Sequence, residues 1–413
     1  MKENGFSKID PYQILFPLGL AHAVFGASLW ILFSLKLTAY PGPLHAHHMV
    51  DGFLLSFAAG FLLTAIPRFT GADRSSPAEL LIATALSVLC FFESKSVVAF
   101  GMLLFLSVFF GRRIKKRTFS PPPHFIFLPI GLLLGLSGSA LLSLVQFGLI
   151  DAHYSTAARV FLYYGMMLSF LLGIGAKLIS ALLGWTAPPT HRIEPLNSFN
   201  GPKKPDFNKW IIPCSQGTLF LASFPIELIA HPGAGRSLRA LCATWIGIQN
   251  WKIYKKPKAP GKLPVWLCVS TWFLILGLWI HALFPSLGVH AAHLIFISGF
   301  GLITLLVASR VTLAHGGYSL ELESRSRIFA MTSLLIILTA LTRVTAAWTA
   351  SYFQHLAYAG AVWILSILGW SVFFLPKIIF HSTNVFSFRK AWSKYRRCVC
   401  GKKHHHGAQD AQI

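Results

Sequence analysis

Residues 125–149 read Phe125-Ile-Phe-Leu-Pro-Ile-Gly-Leu-Leu-Leu-Gly-Leu-Ser-Gly-Ser-Ala-Leu-Leu-Ser-Leu-Val-Gln-Phe-Gly-Leu149, twenty-five positions without a charge. Wound as a helix at ~1.5 Å per residue, such a run is long enough to cross a hydrocarbon layer of ~30 Å. Residues 12–35 and 353–375 have the same character. The whole chain of 413 residues is 54% hydrophobic and 12% charged, with a mean hydropathy of +0.60. That leaves too little polar surface to coat soluble domains. The fold class is therefore all-α, a polytopic membrane helix bundle of about twelve spans. The spans fall near 12–35, 46–67, 78–93, 96–111, 124–149, 156–184, 210–230, 237–251, 264–284, 289–313, 327–348 and 353–376. The fourth and eighth are short for crossing, which allows a count of ten or eleven.

A formal net charge of +23 raises the question of nucleic acid, and the placement of the basic residues answers it. They cluster in short loops between apolar spans: Arg112, Arg113, Lys115, Lys116 and Arg117, then Lys203, Lys204 and Lys209, then Lys252, Lys255, Lys256, Lys258 and Lys262. With the 310–327 segment and the basic tail, these clusters fall on one side of the alternating spans. By the positive-inside rule that side, and both termini, are cytoplasmic. The expected partners are anionic lipid headgroups and not nucleic acid. Residues 1–10 contain acids and precede an apolar run too long for a cleavable signal, so the first helix is expected to stay. Cys90, Cys214, Cys242 and Cys268 lie in apolar runs and read as free thiols.

The Pro-, Asn-, Gly- and Lys-rich stretch 186–209 reads as a cytoplasmic linker between a first six-helix half, 1–185, and a second, 210–380, with a basic tail at 381–413. All belong to one membrane domain. A fainter pattern crosses this division. His48 precedes Arg68 by 20 positions, as His290 precedes Arg310, and the span around Gly173, Gly175 and Lys177 has a similar look. This spacing repeats every fourth helix and predicts a ring of three four-helix units.

The chemistry concentrates in histidines on the outer side. Leu44-His45-Ala46-His47-His48-Met49-Val50-Asp51-Gly52 opens the second span, and His290-Ala-Ala-His293 opens the tenth. Neutral imidazole is a good ligand for haem iron and copper. On a helix His45 and His48 share a face while His47 points elsewhere, so two different partners are expected. Asp51 follows His47 by four residues and His48 by three, so its carboxylate is a candidate acceptor for the second ring N–H of either. His290 and His293 share a face, with His281 and His22 near the same depth. An isolated imidazole in such a place is usually satisfied by a carbonyl or by headgroup water, but two clusters on one side point to metal. Lys177, Glu227, Arg310 and Arg343 lie in or near spans and need partners. Glu227 has His231 four residues on, and Arg236 and Arg239 are candidates for an anionic cofactor group. The tail residues Cys398, Cys400 and His404–His406 offer soft-metal donors in a string that also reads as an ordinary basic tail.

His45-Ala-His-His-Met49, followed by Gly60-Phe-Leu-Leu-Thr-Ala-Ile-Pro-Arg-Phe-Thr-Gly71, resembles the NnrS family signature, HAHEM and then GFLLTAVPNWTG. Residues 293–301 and then Ser309-Arg-Val-Thr-Leu-Ala-His-Gly-Gly317 resemble its second, a His-led span ending in RVTLGHTG. His48, Arg68 and Lys177 stand where the family has Glu, Asn and Arg. The resemblance implies a bacterial inner-membrane protein with haem b and copper, acting in nitric oxide metabolism or protection from nitrosative stress. Carried over by position, His45 and His47 match the first signature's histidines, His293 the second's, and Arg310 and His315 its end. Together with the clusters, this makes His45, His47, His290 and His293 candidate cofactor ligands, and His22, His45, His47, His48 and His293 candidate metal ligands. Asp51, Arg310, His315 and Glu227 are candidate supporting or charge-relay groups. Nitric oxide or a related small molecule and a respiratory electron donor are the implied partners. By analogy, haem–copper oxidases also carry haem ligands on the second and tenth of twelve helices, although the sixth span here lacks histidine. Competing readings are a secondary transporter that depends on Glu227 or Lys177, and a non-catalytic partner of a respiratory enzyme.

Overall fold

The apolar runs form helices throughout the computed structural model, which describes residues 9–186 and 208–379. In chain order these are α1 (Tyr12–Ser34), α2 (Gly42–Thr70), α3 (Pro77–Leu89), α4 (Val97–Lys115), α5 (Pro123–Gln146), α6 (Tyr154–Leu182), α7 (Asn208–Ala230), α8 (232–251), α9 (Lys262–Leu283), α10 (Pro285–His315), α11 (Arg327–Trp348) and α12 (Tyr352–Ile379). Ten are long and apolar enough to cross a membrane, all except α3 and α8. The expectation of a short fourth helix is corrected: α4 has 19 residues, and the shortest is α3 with 13. Its start is fixed by Pro77 behind a reciprocal cap between Ser76 and Glu79. The linker 186–209 lies almost wholly outside the described residues, as do Cys398, Cys400 and His404–His406.

One face gathers the basic loops. The Thr118 backbone N–H donates to the Thr70 carbonyl at 2.8 Å, so α2 and α4 end together and α3 must return the chain between them. On the same face the Lys258 N–H donates to the Leu183 carbonyl at 2.9 Å. Lys262 Nζ donates to the Ser326 carbonyl at 3.0 Å. Gln13 Nε2 donates to the Ile378 carbonyl at 2.9 Å, placing the start of α1 beside the end of α12. Two arginines of this face turn inward. Arg113 grips Glu79 through both terminal nitrogens at 2.5 and 2.6 Å, and Arg310 makes a two-pronged pair with Glu323.

The predicted repeat has a physical counterpart. In α2, α6 and α10 a six-residue α-helical start (Gly42–His47, Tyr154–Arg159, Gly288–His293) gives way to π-helical winding (His48–Leu54, Val160–Met166, Leu294–Gly301), and α-helix then resumes. Single π turns of this kind concentrate at functional sites because they displace the helix axis and re-aim side chains. In each unit the preceding helix packs on the π segment: α1 on α2, α5 on α6, α9 on α10. The approach is close enough to demand glycine. A Cβ at Gly138 would lie 2.6 Å from the Leu162 nitrogen, and one at Gly277 2.8 Å from the Ile295 side chain. The units close into a ring, α4 against α5, α8 against α9 and α12 against α1.

Asp10, just before α1, lies 3.9 Å from Arg68 and 3.7 Å from His315. Burial pushes its carboxyl up, but the hydrogen bond from His315 and the charges of Arg68 and Arg74 outweigh this and hold it below its usual range. A lowered carboxyl stabilises the fold above its unfolded value of ~3.9 and loses that contribution as pH falls through the folded value. Asp10→Asn is therefore expected to be less stable than the parent at pH 7, with the gap closing as pH falls below ~4. Thermal unfolding in detergent across that range checks it, and a gap independent of pH would refute it.

Candidate functional site

The π windings open a cavity of about 710 Å³ at the face opposite the basic loops. The last residue before each winding, His47, Arg159 and His293, lines it, so the three units contribute from equivalent places. Trp30 of α1, Tyr163 and Tyr164 of α6, and Trp363 of α12 supply apolar and aromatic walls.

His45 and His293 share one arrangement. His45 Nδ1 is 2.8 Å from the Gly26 carbonyl of α1, and His293 Nδ1 is 2.7 Å from the Val289 carbonyl one turn earlier. A carbonyl only accepts, so both Nδ1 atoms carry the hydrogen and each Nε2 keeps its lone pair. Among the described residues neither Nε2 has a hydrogen-bond partner. Both rings are half-buried on the cavity wall. This is the state in which protein imidazoles bind a metal, with the other nitrogen tied to a backbone carbonyl.

The other histidines are engaged differently. His47 faces Asp51 Oδ2 through Nδ1 at 3.1 Å and the Cys90 carbonyl through Nε2 at 3.0 Å, so neither nitrogen is open. Asp51 Oδ2 also accepts from Ser96 Oγ at 3.1 Å. His22 Nε2 donates to the Ser87 carbonyl at 3.0 Å, which leaves its Nδ1 to accept from His48 Nδ1 at 2.9 Å. The His22 ring stacks on Phe91 with centroids 3.6 Å apart. His45 and His48 thus both face α1, and His47 faces the end of α3, as the helical spacing predicts. His290 Nδ1 accepts from Arg343 at 3.1 Å, and His281 stacks on Tyr164 with centroids 5.1 Å apart. Among the described residues no group of three or more His, Cys, Asp or Glu side chains is placed to hold a metal ion.

The supporting groups fall in two places. Asp51 lies behind His47, outside the cavity lining. Arg310 and His315 lie at the far end of α10, roughly 30 Å from His293 by helical rise. There Arg310 pairs with Glu323, and His315 Nε2 accepts from Arg68 at 2.6 Å. They do not serve the cavity histidines. Glu227 is buried but does not meet His231, because the chain turns extended at His231 (φ −150°, ψ 110°), whose Nδ1 instead caps α8 at the Ala234 N–H. Arg236 Nε donates to Glu227 Oε1 at 2.9 Å and Arg239 to Oε2. Lys177 is exposed and outside the cavity lining.

The sequence reading missed Arg159, which has no ion-pair partner among the described residues, and it missed the cavity role of Arg343, which donates to His290 and to the Tyr352 hydroxyl. The available signal was a lone arginine at the outer start of a span. Arg159, Arg236 and Arg343 all line the cavity and no carboxylate does. Since Glu227 balances only one of Arg236 and Arg239, the surroundings keep about three positive charges. The cavity therefore suits a large apolar body that carries negative groups.

No curated protein matches the chain. The family profile described as NnrS protein matches residues 9–380, nearly the whole of the helical bundle, and the chain belongs to the NnrS family.

Proposed function

We propose that the outer cavity holds a b-type haem through His45 and His293, in a protein of the bacterial cytoplasmic membrane that acts in the response to nitric oxide. The observation that carries the reading is the pair of unengaged Nε2 atoms on one cavity wall set, each ring fixed in its metal-binding tautomer by a backbone carbonyl. The charge pattern supports it, since a haem presents an apolar ring and two carboxylates to a cavity with three arginines. Arg159, Arg236 and Arg343 are the groups that would receive those carboxylates. Tyr163, Trp30 and Trp363 line the same cavity and would shield the ring from water. When bound, the haem supplies a redox-active iron. The link to nitric oxide rests on the family resemblance, and the cytoplasmic side of the basic loops on the positive-inside rule.

Copper has no comparable cradle among the described residues. His22 and His47 spend both ring nitrogens on His48, on Asp51 and on backbone carbonyls, and His48 spends its Nδ1 on His22, so these side chains and Cys90 form no set of three open donors. No step is assigned to copper here.

Detergent-purified full chain is expected to show a b-type Soret band and a matching pyridine haemochrome. Folded protein that is free of haem, and stays free after incubation with haemin, would sink the reading. A transporter of an amphipathic anion is the second reading, favoured by the three interrupted central helices and the arginines. It predicts uptake by haem-free proteoliposomes that is lost in Arg159→Ala.

A further inference from the structure

Beneath the polar cavity lies a second one, and we propose that it is a binding site for small uncharged apolar molecules that dissolve in the bilayer. It measures about 100 Å³ and is lined mainly by the second segments of α2, α6 and α10, with Phe57, Phe61, Leu171, Phe300 and Val307 among its walls. These side chains face the ring's centre, yet Phe61, Leu171 and Val307 stay half-buried because the neighbouring helices do not fill the space between them. Thr304 carries the one side-chain hydroxyl in the lining. The Gly175 carbonyl, also in the wall, already accepts from Trp251 Nε1 at 2.9 Å.

A buried water needs two to four polar partners, and a site that offers about one is left dry. Dry apolar cavities lose dispersion contacts, which an apolar guest restores. The volume admits a guest from a single noble-gas atom to a few heavy atoms. The source is the hydrocarbon around the bundle, where such solutes are more soluble than in water.

Leu54 lines both cavities and is 3% exposed. It is the last residue of the π winding in α2, where the helix tightens and the wide outer cavity narrows. Its side chain is the partition between the two. A guest moving from the lower cavity to the outer one would pass this side chain. That delivery role rests on the proposed haem site, whereas the binding site itself does not.

Xenon is the probe. Crystals of the full chain pressurised with xenon are expected to show an anomalous peak between Phe57, Leu171 and Phe300. Val307→Phe, which fills the space, is expected to abolish the peak without removing the Soret band. If that variant does not fold, Ala58→Leu tests the same filling from α2. Ordered water or a lipid chain in the cavity, or an empty cavity under xenon, would overturn the proposal. Xenon bound in a chain that takes up no haem would retain the site and reject only the haem reading.

Discussion

His293→Ala is expected to lose haem by more than the ~10–100-fold in affinity that removing an outer partner of a metal ligand typically costs, while keeping its fold. Two features make this position the cleanest test. Its Nδ1–H is satisfied within its own helix by the Val289 carbonyl, so removing the ring frees no group on another element. Its Nε2 has no hydrogen-bond partner among the described residues, so no hydrogen bond between helices is lost. His45→Ala is expected to lose haem as well, with some loosening of α1 against α2, because its ring also ties to Gly26. His47→Ala should behave in the opposite way. It keeps the haem and destabilises the fold, since it strips Asp51 of its buried partner and leaves the Cys90 carbonyl without a donor. Haem content per folded chain and the Soret maximum read all three. Full haem retention in His293→Ala, or haem loss confined to His47→Ala, would show that the ligands are wrongly assigned.

How far the sequence carries this site depends on the range of the interactions. Apolar length and basic loops act through the bilayer and need no tertiary knowledge, so the spans were legible. The i, i+4 relation between His47 and Asp51 is local and survived, even though the π winding begins between them. The Cys90 carbonyl comes from another helix and could not be read. The same boundary separates the two carboxylates. Helical spacing sets Glu227 beside His231, but the helix ends between them, and α8 folds back to present two arginines. Arg310 and His315 belong to the same sequence motif as His293 but not to its site. The helix between carries them to the opposite face. The π windings themselves have no composition signal. The three in α2, α6 and α10 show in sequence only as the repeat every fourth helix, and those at Ile226–Ala230 and Gly247–Trp251 do not show at all, because the register shift lies in backbone hydrogen bonding.

Glu227→Ala is expected to destabilise the bundle by about 3–5 kcal/mol, the usual result of removing one partner from a buried ion pair. Arg239 is 1% exposed, and its Nη1 has no partner even in the parent, so the glutamate is its chief compensation. The Phe224 ring 4.8 Å from its guanidinium carbon adds a weaker cation–π contact, which stays in the variant. Arg236 is less affected, because it reaches the cavity and can take water or an anionic ligand there. The cost therefore falls mainly on Arg239. Replacing both Glu227 and Arg239 by apolar residues of similar volume should recover most of the loss, since the desolvation cost of the pair disappears with the charges. Haem binding is expected to survive Glu227→Ala, because the cavity then carries one more positive charge to face the carboxylates. Thermal unfolding in detergent with and without haemin separates these effects. A loss below about 1 kcal/mol would mean that Arg239 is solvated in the bundle by water or lipid headgroups, and the charge argument for the cavity would then have to include them.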